Sequence, residues 1–212
     1  MRKLLVLMLG LCLISPAVCV AQNKQLEKAR KVEFKKKMKE YKAKNYELFG
    51  SSRSLDVALL THYEKLNTLG DKAYEVVGVA SNFKSKNVGH QMAINSACIT
   101  YAQQAGSAVR GRVLSDMQGN ADAPEIEFDK FYAAYERLIE KEIKGEMRES
   151  YSVIRSTGKN TYEMESYFIV DEDAASKARL RAMEAAAQET EMAQEYAKRI
   201  AVFVEEAFEI VQ

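Results

Sequence analysis

The sequence predicts an α+β fold in which a small antiparallel sheet of three to four strands packs on an alanine-rich helix. β-branched and aromatic residues cluster at 74–80, and again at 148–170 around a turn-forming stretch STGKN. Small and apolar residues repeat at three- and four-residue intervals through 91–109, which is the spacing of one helical face. Added N-terminal helices and a long C-terminal helix complete the predicted fold.

Residues 1–21 are typical of an export signal. Arg2 and Lys3 form a basic start, an apolar run covers 4–13, and Ala21 is the small residue that a signal peptidase requires. The run is shorter than the roughly 20 apolar residues that a membrane-spanning helix needs. We expect cleavage between Ala21 and Gln22, and a location in the periplasm or at the outer-membrane periphery.

Two of the three cysteines, Cys12 and Cys19, lie inside this export signal. Lipid attachment normally needs a small residue before the cysteine, but Leu11 and Val18 stand there, so lipidation of Cys19 is disfavoured and left open. After cleavage only Cys98 remains, which excludes an internal disulfide and a paired-cysteine zinc site. Its place on an apolar helical face predicts a buried side chain.

The chain after the export signal divides into an N-terminal helical segment, 22–70, and an α+β domain, 71–212. Lysines dominate a helix predicted over 24–48. Such a helix can bind an anionic membrane surface, or it can be solvated while its lysine stems cover apolar surface. The thin apolar stripe favours the second interpretation. Ser54 predicts the cap of a helix over 55–69, which Gly70 ends.

The α+β domain is predicted to begin with a strand that a helix can approach closely, because Gly78 lies at its centre. The elements predicted along this domain are a strand at 74–80, a helix at 91–109, a strand at 110–118, a loop at 119–124, a helix at 125–144, hairpin strands at 148–155 and 161–170, and a final helix capped by Asp171. That last helix would be about 60 Å long. We expect it to bend back, to break near 188–191, or to pack on another chain.

No catalytic, cofactor-binding or metal-binding residue, and no cofactor, is predicted. His62 and His90 each lack a second ligand at helical spacing, so His62 is expected to be partly buried and His90 to lie on the surface. Asp116 and Asp122 lack the alternating oxygen ligands of a calcium loop and are interpreted as solvated loop acids.

Two further carboxylates, Glu163 and Glu165, lie two residues apart in the second hairpin strand. An acid and base pair needs environments that separate the two pKa values. Strand alternation instead predicts that both side chains point outward into solvent.

The order of these elements resembles a known family. The stretches that carry the likeness are VGVAS at 77–81, AINSACITYAQQAGSAV at 93–109, SYFIVDEDAASKA at 166–178 and AQEYAKRIAVFVEEAF at 193–208. Over about 74–212 the chain resembles the Lpp-twenty type bacterial envelope lipoprotein superfamily, which includes the N-terminal domain of a flagellar ring-assembly protein. The resemblance implies a dodecin-like core, with a small antiparallel sheet on a helix, and a place in the cell envelope. Flavin binding is not carried over, because dodecins use tryptophan for it and this chain has none.

The function predicted is that of an exported cell-envelope protein with a non-catalytic structural or interaction role. A phosphate loop, a nucleophile elbow and paired histidine ligands are missing from the sequence, which argues against an enzyme. The expected partner is another envelope protein, or a second copy bound through the C-terminal helix. With 31 basic and 30 acidic residues, the charge indicates no nucleic-acid partner, and membrane association is not required. The alternative is a periplasmic module that binds a small ligand or peptide on the hairpin face carrying Tyr151, Tyr162 and Tyr167.

Overall fold

A computed structural model describes residues 15–117, 125–192 and 194–206. Over these residues the chain forms six α-helices and four strands. The elements are α1 Ser15–Ala43, β1 Glu47–Phe49, α2 Leu55–Leu69, a 3₁₀ turn Gly70–Lys72, β2 Ala73–Phe83, α3 Lys86–Met117, α4 Glu125–Ile143, β3 Arg148–Gly158, β4 Thr161–Asp171, α5 Glu172–Glu189 and α6 Gln194–Glu206. The predicted α+β class, with a small antiparallel sheet, is confirmed.

The sheet is antiparallel throughout and has the strand order β1-β3-β4-β2. Ser152 lies opposite Ser166, which in turn lies opposite Gly78, so these three residues share one face. Helix α3 packs on that face, and α4, α5 and α6 pack around α3. Helices α1 and α2 cover the other face. The sheet therefore lies between two helical layers.

Helix α3 lies close to the sheet because small residues face each other across the contact. A Cβ added at Gly78 would stand 1.8 Å from the carbonyl oxygen of Ala93 and 2.9 Å from the amide nitrogen of Ala97. The predicted role of Gly78 as a point of close approach is confirmed. Further along α3, Cys98 and Tyr101 are fully buried on the same face.

The strand predicted at 110–118 is wrong, because α3 continues through it to Met117. Val109 and Val113 are four residues apart and extend the apolar face of the helix into the core, so their burial favours helix over their β-branched preference. The same helix begins at Lys86, five residues before its predicted start. Helix α4 and the β3–β4 hairpin form where predicted, and the loop predicted at 119–124 lies outside the described residues.

The helix predicted over 24–48 ends at Ala43, and its prediction as far as Leu48 is wrong. Asn45 takes a left-handed conformation with φ 55°, which stops the helix. Leu48 then pairs with Val153 of β3, so the N-terminal segment supplies a strand to the sheet of the following domain. Helix α2 and its end at Gly70 match the prediction, although the Ser54 side chain makes no capping hydrogen bond.

The C-terminal helix breaks within the predicted stretch 188–191. Asp171 caps α5 by accepting a hydrogen bond from the backbone N–H of Ala174 at 3.2 Å. After α5 ends, Glu191 adopts φ 53° and α6 turns back onto the bundle. Ile200 and Val204 of α6 are fully buried in the core. Phe208 and Ile210, the last large apolar residues of the chain's C-terminal stretch, lie outside the described residues.

A buried arginine joins three of these helices. The Arg179 side chain, on α5, has no exposed surface, and its guanidinium donates to the Glu172 carboxylate, to the Tyr101 hydroxyl on α3 at 3.0 Å and to the Val204 carbonyl on α6 at 3.2 Å. Burial lowers the pKa of Arg179, but the hydrogen bonds to Glu172 and Tyr101 outweigh it and raise that pKa. The cation is thus retained inside the bundle and ties α6 to α3.

Replacing Gly78 by alanine is expected to lower the free energy of unfolding by about 1–3 kcal/mol, the usual effect of overpacking. The added Cβ meets the backbone of Ala93, which cannot turn aside as a flexible side chain would. Urea unfolding followed by circular dichroism measures the change.

Gly111→Ala is the matched control. Nothing lies within 4 Å of a Cβ at Gly111, so the substitution should stabilise α3 by up to about 1 kcal/mol. A Gly78→Ala variant as stable as the parent chain would contradict this account of the helix–sheet contact.

Candidate functional site

The tyrosines predicted to form a binding face do not form one open surface. Tyr151 and Tyr167 lie on neighbouring strands with their rings stacked 4.5 Å apart, and α1 places the Tyr41 hydroxyl 3.0 Å from that of Tyr151. Tyr151 is 5% exposed and Tyr167 is 2% exposed. Tyr162 lies on the opposite face of the sheet, beside Phe83. The hairpin face is therefore filled by α1 and α2.

Glu163 and Glu165 are not solvated as predicted, because α1 and the segment after it cover their face. The Tyr46 hydroxyl lies 2.9 Å from Glu163 and 3.0 Å from Glu165, and its single proton can be donated to only one of them. Arg155 donates to Glu163 at 2.7 Å, and Tyr167 donates to Glu165 at 2.5 Å. Burial raises the pKa of Glu163, but its hydrogen bonds with Arg155 and Tyr46 lower it overall.

His62 joins α2 to β2 and is fully buried rather than partly buried as predicted. Its Nε2 lies 2.5 Å from the Glu75 carboxylate, and its ring packs edge-on against Tyr63 and Tyr151. Its Nδ1 is buried and has no hydrogen-bond partner within the described part of the chain. Because the ring has no exposed surface, His62 is placed to hold two layers together rather than to meet a solute.

His90 lies on the other face of the sheet and binds a different carboxylate. Its Nε2 is 2.7 Å from Glu149, whose other oxygen lies 2.5 Å from the Ser152 hydroxyl. The carboxylate lies between the serine and the imidazole, so the imidazole does not contact the hydroxyl, and Ser152 is only 1% exposed and out of reach of a substrate. The side chain of His90 is 29% exposed, close to its predicted surface position.

The remaining predicted residues do not meet in a site. Cys98 is buried as predicted, and burial raises the pKa of its thiol. Asp116 falls in the last turn of α3 and Asp122 lies outside the described residues. Across 15–117, 125–192 and 194–206, no three His, Cys, Asp or Glu side chains are grouped so that they could hold a metal ion.

An open cleft of about 780 Å³ lies beside the filled tyrosine face, and we call it the α2 cleft. One wall is the second half of α2, with Thr61, Lys65 and Leu69. The other wall is the corner of the sheet where β3 begins and β4 ends, with Arg148, Ser150 and Ile169. Its volume lies within the roughly 300–1,000 Å³ of small-molecule sites.

The packing of α2 explains why this corner is uncovered. Leu66 packs on Ile169 of β4 and on Ala73 of β2, which fixes the second half of α2 against the sheet at this point. Strand β1 pairs only with residues 152–154 of β3. Among the described elements, the first residues of β3 therefore have no strand on their outer side, and α2 faces them across the cleft.

The polar groups of the α2 cleft differ in whether they already have partners. Glu146 accepts a hydrogen bond from Arg181 at 3.0 Å, and Asp171 caps α5. Within the described ranges Lys65 and Arg148 make no ion pair, and the buried Ser150 hydroxyl oxygen has no hydrogen-bond partner. Sequence reasoning missed these three residues, because about 80 residues of chain separate α2 from β3 and no motif links them.

Comparison with protein-family models, with curated proteins and with solved structures finds no match to this chain. No helix in the part of the chain that the structure describes is long and apolar enough to cross a membrane.

The buried tyrosines predict a loss of stability at alkaline pH. Burial raises the pKa of Tyr41, Tyr151 and Tyr167 well above the ordinary value, and raises that of Tyr63 to about 12. A raised pKa in the folded chain stabilises it fully below the unfolded value near 10, and that contribution is lost as pH rises through the folded pKa. We expect the free energy of unfolding to fall from about pH 10 upward.

Urea unfolding at stepped pH, with tyrosinate absorbance as a second signal, measures this loss. Tyr63→Phe removes one of the contributing groups and should make the fall with pH less steep. Ionisation of all the tyrosines near pH 10 in a chain that stays folded would contradict the prediction.

Proposed function

We propose that this chain is an exported cell-envelope protein with a non-catalytic structural or interaction role. The observation that carries the proposal is that its reactive side chains bind one another across layers. His62 binds Glu75 between α2 and β2, and Arg179 binds Tyr101 between α5 and α3. A catalytic acid or base must come within hydrogen-bond reach of a substrate, and both His62 and Arg179 are fully buried.

Export is proposed from residues 1–21, and the location is the periplasm or the outer-membrane periphery. The basic start, the apolar run and the small residue at position 21 support it. Membrane association is compatible with this role and is not required by it.

A dodecin-like core and membership of the Lpp-twenty type envelope superfamily form part of the proposal. A four-stranded antiparallel sheet packed on the small-residue face of α3 supports it. The long β3–β4 hairpin and the capped α5 that follows it supply further support. Relatives of this kind lie in the cell envelope, which agrees with the proposed export.

Another envelope protein is the partner that the described residues favour. Self-association through the C-terminal helix would use its apolar stripe, but Ile200 and Val204 of that stripe are buried on the same chain. Val202 of α6 is 49% exposed and remains available for contact with a second copy.

The second candidate function is a periplasmic module that binds a small ligand or a peptide. The Tyr-rich hairpin face is closed by α1 and α2, so the α2 cleft is the feature that favours this candidate. Its open volume and its polar groups without partners are typical of a ligand site.

Expression in a Gram-negative cell, followed by fractionation and N-terminal sequencing, tests export. We expect the mature chain in the periplasmic or outer-membrane fraction with Gln22 at its N-terminus.

Ala21→Arg should block processing, because the peptidase requires a small residue there. Cys19→Ser is the matched control and should leave processing unchanged, whereas a chain that begins at a lipidated Cys19 would lose it. Accumulation in the cytoplasm with Met1 retained would contradict export.

Chemical crosslinking in intact cells tests the interaction role. We expect an adduct of one defined mass that contains another envelope protein. A chain lacking 2–21, which stays in the cytoplasm, is the control and should lose that adduct. An exported chain that forms only background adducts would contradict an interaction role, and an adduct of twice the chain mass would assign the contact to a second copy.

A further inference from the structure

We propose that one exposed face of α1 binds the surface of a bilayer that contains anionic phospholipids. This face, which we call the lysine face, consists of lysines that are exposed and make no ion pair among the described residues: Lys28, Lys35, Lys36, Lys39 and Lys42. Four of them, all but Lys36, are separated by seven, four and three residues, so they form one row along the helix. The row is about 21 Å long, at 1.5 Å per residue.

The packing of α1 holds the lysine face toward solvent. The side of the helix that carries Phe34, Met38 and Tyr41 packs on the tyrosines of the sheet. Tyr41 is fully buried, and its hydroxyl lies 3.0 Å from that of Tyr151. The apolar stripe of α1 is therefore used inside the protein, and the five lysines are exposed beside it with their charges open to a partner.

The lysine face lies in a segment with a clear excess of positive charge. Residues 27–44 include nine basic and three acidic residues. Each of the three carboxylates has a basic neighbour that is not one of the five lysines, and these neighbours are Lys31 for Glu27, Lys44 for Glu40 and Arg30 for Glu33. On α2, Asp56 lies near Lys42, and Glu64 borders a groove beside Lys31. With these two included, cations still outnumber carboxylates by nine to five.

An exposed valine within the lysine face favours a lipid surface over other polyanions. Val32 lies four residues after Lys28 and three before Lys35, and it is 68% exposed. Next to α1, Leu60 of α2 is 53% exposed and lines the same groove as Lys31. Aliphatic side chains among lysines are typical of helices that lie along a bilayer surface, where the apolar groups reach the acyl boundary and the charges meet headgroup phosphates.

A nucleic acid fits the lysine face less well than a bilayer does. Single strands are held by aromatic side chains on which bases stack, and Phe34 and Tyr41, the aromatic residues of α1, pack on the protein instead. Arginine is the usual residue for bidentate contacts with phosphates and bases, and none of the five residues is an arginine. Lysines act as separate point charges, which suits a plane of mobile headgroups.

This proposal adds a lipid surface to the proposed interaction role without depending on that role. Vesicle binding is measured with the purified protein, whereas export is measured by fractionation and the protein partner by crosslinking. Each of the three measurements can therefore fail while the other two succeed.

Co-sedimentation of the purified protein with vesicles tests the proposal. Vesicles of phosphatidylglycerol and phosphatidylcholine in equal amounts should retain the protein, and vesicles of phosphatidylcholine alone should not. Raising the salt concentration from about 0.1 M to about 0.5 M should release the protein, because screening weakens interactions between exposed charges. Binding through the apolar run at 4–13 would instead be equal for both kinds of vesicle and insensitive to salt.

Variants assign the binding to the lysine face. Lys35→Gln combined with Lys39→Gln should weaken binding to the anionic vesicles by roughly 20-fold, since each lysine near such a surface contributes about fivefold. Lys35→Arg combined with Lys39→Arg keeps both charges and should keep binding within about twofold. The matched control, Lys141→Gln with Lys198→Gln, removes two exposed charges from α4 and α6 and should also stay within about twofold. All four side chains are exposed, so each variant should keep the parent melting temperature.

Val32→Ser measures the apolar contribution separately from charge. It should weaken vesicle binding severalfold, because less apolar surface is buried at the bilayer. The same variant should leave the salt dependence of binding unchanged, since no charge is altered.

Four results would overturn the proposal. Equal retention by neutral and anionic vesicles would show that charge is not recognised. Absence of retention by both would exclude a lipid surface. A Lys141→Gln and Lys198→Gln variant that loses as much binding as the α1 variant would assign the effect to net charge rather than to the lysine face. Tighter binding of a duplex DNA fragment than of anionic vesicles at the same salt would assign the face to a nucleic acid.

Discussion

The contact between Gly78 and the backbone of Ala93 is the constraint on which the rest of the structure depends. It lets α3 lie closer to β2 than any side chain at position 78 would permit. With α3 in that place, α4, α5 and α6 pack around it in one apolar core, and Arg179 of α5 reaches Tyr101 of α3. The glycine at position 78 therefore determines where the whole helical layer lies. Apolar burial then supplies most of the stability of that layer.

The N-terminal segment performs the corresponding task on the other face of the sheet. It adds β1 to the sheet and covers the stacked rings of Tyr151 and Tyr167. The Tyr41 hydroxyl is the hydrogen-bond partner of the buried Tyr151 hydroxyl, and Glu75 is the partner of the buried Nε2 of His62. What the sequence suggests as a ligand-binding aromatic face is thus an internal contact. The place left open is the α2 cleft, between α2 and the start of β3.

The candidate site could not be predicted from the sequence. Lys65 is the single lysine of α2 and belongs to no motif, and Arg148 and Ser150 begin an ordinary strand. These residues line one cleft because Leu66 packs α2 against Ile169, and because β1 pairs with only three residues of β3. Glu163 and Glu165 illustrate the same difficulty, since strand alternation placed them correctly on one face but could not show that Tyr46 would cover it. Whether a strand face is covered depends on segments that are far away in the chain.

The sequence by itself determined the α+β class, the hairpin of β3 and β4 and the boundaries of α2, because turn residues, caps and periodicity act within a few residues of each other. The tertiary structure alone decided that α3 continues through the predicted strand, that β1 exists, and which charged groups face an open cleft. Those outcomes depend on burial against residues far away in the chain. Val109 and Val113 favour a strand by intrinsic preference, and they are helical because the core on that side of α3 is where they can be buried.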